Sequence, residues 1–326
     1  MIYSVAVQKV GDFPPDGLEF LHTWPPMDIK DTILDLVGGT PMVRLHRTNP
    51  NTNVDLVAKL EWYNPFGSVK ERIALRMIQR AIADGRLTKD KIILESSSGN
   101  TGIGLAMVGA VLGYQVAITM SEGTSIERRQ VLKALGAEIL LTSKEGGSDE
   151  AWDRADELYA KHPEKYVRLH QYQSPDNAAT HEEITAEEIW EQTEGIVDAV
   201  IATLGTTGTV VGLSRGLKQK NSNIRIISVE PPPGKHKQQG IRNVDFSRTP
   251  TIWDPACVDE RMYVSDEEAY QAARDLMRHE GLFAGISCGS ALAAAQKVVR
   301  NMARGRVVLI FPDHGFKYLS TDLYPA

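Results

Sequence analysis

Between residues 54 and 311, short apolar runs rich in β-branched residues alternate with longer amphipathic runs. The runs at 54–62, 92–96, 115–120, 138–141, 199–204, 224–229 and 307–311 have strand character. Between them, 71–83, 101–112, 126–135, 150–161, 209–218, 266–279 and 290–302 carry helical spacing. A strand that is apolar on both faces must be covered on both faces. Helices inserted between such strands supply that cover, so the pattern predicts an α/β fold built on parallel sheet. The chain has 326 residues, enough for two compact domains or one large one.

Two stretches interrupt the rhythm. Residues 168–185 are polar and turn-rich, and are expected to form a crossing between two α/β units. Residues 231–258 are irregular over a length that a plain connection does not need, which points to function. Residues 1–30 contain Pro14, Pro15, Pro25 and Pro26. They read either as an arm wrapped on the surface or on a partner subunit, or as a disordered leader.

Charge and composition exclude several classes. The net charge is −6 and the basic residues are scattered, so neither nucleic acid nor an anionic membrane is an expected partner. No apolar run reaches membrane-spanning length, and the first residues lack a secretory pattern. The two cysteines, Cys257 and Cys288, make neither a disulfide framework nor a thiolate metal site. A reducing, cytoplasmic setting and no metal are the expectations.

In open α/β sheets ligands bind at the carboxyl ends of strands, so the turns after strands are where chemistry is sought. Lys70 follows Asn64-Pro65-Phe66-Gly67-Ser68-Val69 at a strand-to-helix junction. Desolvated there, its amine loses proton affinity and becomes a nucleophile; on position alone, a solvated lysine is the commoner reading. Ser96-Ser97-Ser98-Gly99-Asn100-Thr101-Gly102 opens a helix. Its hydroxyls and free N–H groups suit a carboxylate, although a plain helix cap uses the same residue types. Gly205-Thr206-Thr207-Gly208-Thr209 opens another helix and suits a phosphate held without metal. No Gly-Lys-Ser/Thr follows, so it is not a nucleoside triphosphate loop. Gly285-Ile286-Ser287-Cys288-Gly289-Ser290 and residues 312–321 are two further polar turns. A lysine amine combined with a phosphate cup is what pyridoxal phosphate requires.

With these turns, and with Gly38-Gly39-Thr40-Pro41 and His170-Gln171-Tyr172, the chain resembles the cysteine synthase and cystathionine β-synthase group of fold-type II pyridoxal-phosphate enzymes. The resemblance runs from about residue 31 to 321. It implies two doubly wound, three-layer α/β domains with the active site between them, and a homodimer. Residues 31–63 plus 176–326 would form the larger cofactor-binding domain and 64–175 a smaller, mobile one. It implies Lys70 as the Schiff-base lysine and the acid/base for the α-proton, and Asn100 on the ring hydroxyl. Gly205, Thr206, Thr207, Gly208 and Thr209 would hold the phosphate, and Ser287 would face the pyridine nitrogen. Ser97, Ser98, Thr101 and Gln171 would bind the substrate carboxylate. Three positions depart from the family pattern: Glu71 for aspartate, Ser97 for threonine, and Cys288 for a second hydroxyl residue beside Ser287. Cys288 is expected to be an idle buried thiol.

The resemblance further implies a transferase of cysteine biosynthesis. The reaction would be β-replacement on an activated serine through an aminoacrylate, giving L-cysteine. Sulfide, thiosulfate and a carrier-protein thiocarboxylate are all open as sulfur donors. In Gly240-Ile241-Arg242-Asn243-Val244-Asp245, Arg242 resembles the phosphoserine-using branch. A guanidinium fork pairs two oxygens of a phosphate monoester, whereas a surface arginine on a loop is the plainer reading. The competing functions are an O-acetylserine sulfhydrylase and a cystathionine β-synthase or other β-replacement enzyme with a different nucleophile. From another class comes a non-catalytic scaffold for a serine acyltransferase, against which an intact Lys70 argues.

Overall fold

The computed structural model describes residues 29–97 and 99–324. The expected N-terminal arm therefore lies almost wholly outside the described residues, as does Ser98. From Thr32 onward the order begins with β1 (Met42–Arg44), β2 (Val54–Leu60), α1 (Lys70–Ala83), β3 (Ile92–Ser96) and α2 (Asn100–Leu112). It continues with β4 (Val116–Ser121), α3 (Ile126–Ala134), β5 (Glu138–Thr142), α4 (Gly147–Lys161) and β6 (Tyr166–Arg168). Then come α5 (Pro175–Thr180), a π-helical turn (His181–Thr185), α6 (Ala186–Gln192), β7 (Ala199–Thr203), α7 (Gly208–Lys220) and β8 (Arg225–Glu230). The chain closes with β9 (Glu260–Tyr263), α8 (Asp266–Asp275), α9 (Ile286–Arg300) and β10 (Gly305–Phe311).

The strands form two sheets, one of six in the order β1-β2-β10-β7-β8-β9 and one of four in the order β5-β4-β3-β6. Among the described residues every strand pairing is parallel except that of β1 with β2. Strand β10 shows why the apolar run is continuous. Val307, Leu309 and Phe311 enter one core while Val308 and Ile310 enter the other. All five are buried, and burying such side chains stabilises the fold by roughly 1.5–3 kcal/mol each.

The departures from the sequence pattern have local causes. Strand β1 is an antiparallel edge of three residues, β6 is equally short, and β9 has only four. Such brief segments carry too few residues for a period-2 signal. The expected strand at 54–62 ends at Leu60, where Glu61–Tyr63 winds into a 3-10 turn. The stretch at 168–185 leads from the four-stranded sheet toward the six-stranded one, but it is largely helical rather than turn-rich, with α5 and the π-helical turn beginning at Pro175. Its inward positions are Asn177, Ala178, Thr180, His181 and Thr185, mostly polar, so no apolar stripe marks the helix. Residues 231–258 are irregular apart from a short 3-10 turn at Pro255–Cys257.

Candidate active site

Lys70 opens α1, and the turn before it is tied to the end of β10. Val69 N donates to Pro312 O at 2.8 Å, and Ser68 bridges Asp313. Ser68 ties the turn to the first residues of the helix: its Oγ accepts from Lys70 N at 3.2 Å, and Glu71 Oε2 accepts from Ser68 N at 3.0 Å. Burial lowers the Lys70 amine to about 8, against the opposing pull of Asp313, Glu61 and Glu71. Burial also pushes the neighbouring Glu71 carboxyl up to about 7.

The turn before α2 sits at the end of β3. Ser97 Oγ accepts from Gly99 N and Gly102 N at 3.0 Å each, so Ser97 satisfies two N–H groups at the start of the helix, and among the described residues its own proton has no acceptor. Thr101 Oγ1 donates to Gln171 Oε1 at 2.6 Å. Asn177 Nδ2 donates to Gln171 O at 2.7 Å and to Thr206 Oγ1 at 2.9 Å. One chain of hydrogen bonds thus joins the turn after β3 to the turn after β7. Buried Glu95 braces it, accepting from Ser96 N at 3.0 Å and Arg168 Nη1 at 2.9 Å.

The second turn enters α7. Gly205 has room for no side chain, since a Cβ there would meet Gly240 O at 2.6 Å. Thr207 takes φ +70°, and among the described residues its buried Oγ1 has no hydrogen-bond partner. Thr209 Oγ1 lies 3.2 Å from His181 Nε2. Burial, with Lys70 and Arg72 nearby, holds that imidazole well below its ordinary range and hence neutral.

A third set closes the site. Asn100 Nδ2 donates to Asp313 Oδ2 at 2.8 Å, and Lys317 Nζ donates to Asn100 Oδ1 at 2.9 Å. Tyr318 Oη donates to the same Asp313 oxygen at 2.8 Å. Gly285 N donates to Asp313 O at 2.9 Å, which fixes the start of α9 beside this pair. Ser287 is buried in the first turn of α9, and burial raises the adjacent Cys288 thiol well above its usual range.

A cavity of about 590 Å³ joins these parts; its wall includes Lys70, Ser97, Asn100, Thr101, Gln171, Gly205, Thr206 and Arg242. Thr207, Gly208, Thr209 and Ser287 are not among its lining residues. Arg242 is 7% exposed, and its guanidinium lies 4.6 Å over the Tyr172 ring. The residues fit a phosphorylated aldehyde cofactor. A partly desolvated amine faces the same cavity as a glycine turn at the positive end of a 13-residue helix, and an unpartnered buried hydroxyl stands at that end.

Residues 33–313 match the family described as "Pyridoxal-phosphate dependent enzyme". The chain belongs to that family. Its architecture is fold-type II, and it depends on pyridoxal 5'-phosphate. A cysteine synthase of Aquifex aeolicus is 42% identical over 93% of this chain and 95% of its own. An O-acetylserine sulfhydrylase isoform of Entamoeba histolytica superposes with a TM-score of 0.86 at 39% identity, covering 92% of this chain and 93% of that one. An O-ureido-L-serine synthase superposes with a TM-score of 0.86 at 34% identity, covering 91% and 95%. The chain is thus a pyridoxal-phosphate enzyme of the cysteine synthase group.

Sequence reasoning did not assign Glu95, Asn177, His181, Asp313 or Lys317. The signal for the last two was available, since both follow the last strand, at the carboxyl end where ligands gather. The other three lie where the sequence offers only polar residues on an unrecognised helix or at a strand end.

Proposed function

We propose that this enzyme makes L-cysteine by β-replacement on an activated L-serine, that the activated serine is O-phosphoserine, and that the sulfur arrives as sulfide or from another donor. The observation that carries the leaving group is Arg242. A nearly buried guanidinium stands in the wall of the cavity that holds Lys70. Its Nη1 donates to Arg248 O at 2.7 Å and lies 4.0 Å from Asp149 Oδ1, which among the described residues leaves Nε and Nη2 for a ligand. A phosphate monoester offers paired oxygens to such a fork, whereas an acetyl ester offers no charge.

Bound pyridoxal phosphate supplies an aldehyde that captures an amine and a ring that accepts electrons from the substrate. The chain supplies the rest. In this reading Gly205, Thr206, Thr207, Gly208 and Thr209 hold the cofactor phosphate, Asn100 the ring hydroxyl, and Ser287 the ring nitrogen. Ser97, Thr101 and Gln171 take the substrate carboxylate, with Ser98 assigned there by resemblance alone. Lys70 Nζ accepts the proton from the substrate α-carbon, which its lowered proton affinity suits near pH 8. Arg242 receives the departing phosphate. Residues 64–175, which carry the four-stranded sheet, act as a smaller domain moving against 31–63 plus 176–326. The active form is a cytoplasmic homodimer; sedimentation as a monomer at working concentration would count against the dimer. Among the described residues no helix is long and apolar enough to cross a membrane.

The relative named for O-acetylserine supports the competing leaving group. One comparison separates the two: kcat/KM for O-phosphoserine divided by kcat/KM for O-acetylserine, in wild type and in Arg242→Ala. The ratio should fall by roughly 10–100-fold, as expected for one lost charge-assisted contact. An unchanged ratio rejects O-phosphoserine as the substrate that Arg242 selects.

A further inference from the structure

Arg242 is the inner layer of a four-layer stack. Its guanidinium lies 4.6 Å over Tyr172, Tyr172 stacks on Trp152 at 4.3 Å and 13°, and the Arg248 guanidinium lies 4.0 Å over Trp152. The two middle layers and the two end layers differ in origin. Trp152 belongs to α4 and Tyr172 follows β6, both beside the four-stranded sheet. Arg242 and Arg248 both come from the irregular stretch that leaves the six-stranded sheet after β8.

The edges of the stack are also fastened. Arg248 Nη1 pairs with Asp153 Oδ1 at 2.8 Å, and Nη2 lies 3.8 Å from Asp156 Oδ2. Arg242 Nη1 donates to Arg248 O, so the backbone of the outer arginine holds the side chain of the inner one. Arg242 N donates to Leu204 O at 2.8 Å, and Thr251 N donates to Tyr172 O at 3.0 Å. The central rings are nearly buried, at 2% for Trp152 and 8% for Tyr172, whereas the Arg248 side chain is 41% exposed.

We propose that this stack positions Arg242 for the leaving group, with Arg248 as its outer clamp and a specificity-determining residue that never touches substrate. The inference rests on the reading of O-phosphoserine as substrate. A guanidinium laid flat on a ring and bound at one nitrogen has lost its rotamer freedom before the ligand arrives. That loss would otherwise weaken binding. A planar cation on the far side of the two rings, ion-paired to α4, keeps the rings and the loop in register. A charged phosphate ester depends on that placement, and a neutral acetyl ester does not.

The test uses the holoenzyme of wild type, Arg242→Ala, Arg248→Met and Arg248→Lys, with both esters. Arg248→Met should lower the O-phosphoserine to O-acetylserine ratio of kcat/KM by roughly 2–5-fold, the size of one exposed cation–π contact. The change should reside in KM for O-phosphoserine, with O-acetylserine unaffected and Arg248→Lys recovering part of the loss. If Arg242→Ala lowers the ratio and Arg248→Met leaves it at the wild-type value, the clamp is overturned while the substrate reading stands. If neither variant moves the ratio, the substrate reading fails and the clamp fails with it.

Discussion

At the scale of single residues, the site is organised around charges that burial has weakened. A lysine in water keeps its proton to about pH 10.4; burial takes Lys70 to about 8. Only the neutral amine attacks an aldehyde, so the neutral fraction sets how fast cofactor-free protein takes up pyridoxal phosphate. The reconstitution rate, followed by visible absorbance, should climb with pH and level off above about 8. A rate still rising through pH 10 would mark Lys70 as a solvated lysine. Asn100 shows how a second lysine acts through its neighbour. Lys317 Nζ holds the amide oxygen and Asp313 takes the amide nitrogen, which fixes the orientation of the amide. Lys317→Met removes the charged donor from Asn100 and from Gly67 O. It should weaken cofactor binding roughly tenfold, read as the Kd from absorbance titration, since hydrogen bonds to charged groups contribute about 1.5–3 kcal/mol. Asn100 was legible in the sequence because it sits within a dense polar turn. Lys317 stood in a polar turn after the last strand, so its place was legible, but its role was not, because 217 residues separate it from the group it orients.

At the scale of elements, α7 depends on glycines four residues apart. Gly208, Gly212 and Gly216 face α5 and the π-helical turn, and each lies too close for a side chain. A Cβ would meet Asn177 Oδ1 at 2.0 Å, Ala178 O at 2.2 Å and Glu182 O at 2.5 Å respectively. This contact seats His181 against Thr209 and Asn177 against Thr206, so the packing of two helices sets the geometry of the turn after β7. Gly212→Ala should destabilise the protein by about 1–3 kcal/mol or more, the usual range for overpacking, in urea denaturation. A wild-type midpoint would mean that the helices part without cost. The long strands were legible because each is a β-branched run covered on both faces. The helical part of 168–185 was not, since its buried face is built from asparagine, threonine and histidine that serve the site rather than the core. The glycine spacing on α7 was in plain view, but spacing alone does not say which element approaches.

At the scale of the whole molecule, one buried charge network anchors the base of α1 to the six-stranded sheet. Arg72, two residues after Lys70, donates through Nε to Glu61 Oε2 at 2.6 Å and through Nη1 to Glu188 Oε1 at 2.7 Å. Lys59, on β2, pairs with Glu188 at 2.8 Å, and Thr40 Oγ1 accepts from Arg72 Nη2 at 3.0 Å. Two cations thus meet two carboxylates drawn from β2, the 3-10 turn after it, α1 and α6. These four charges are scattered over 130 residues of sequence, which is why no local pattern announced them. Burial alone would raise the Glu188 carboxyl, but Arg72 and Lys59 outweigh it and hold it down to about 2. Its folded-state affinity for protons is therefore below its unfolded-state affinity. The contribution is present above the ordinary carboxylate range and lost as pH falls toward about 2. Arg72→Met keeps most of the side-chain volume and leaves fully buried Glu61 without its guanidinium. Breaking a buried pair from one side costs about 3–5 kcal/mol, and urea denaturation near pH 7 should show a loss of that size. Lowering the pH from 7 toward 3 should narrow the gap between variant and wild type, because protonation removes the charges the arginine compensates. A gap below about 1 kcal/mol at pH 7, the range of solvent-exposed pairs, would show that the network does not hold α1 in place.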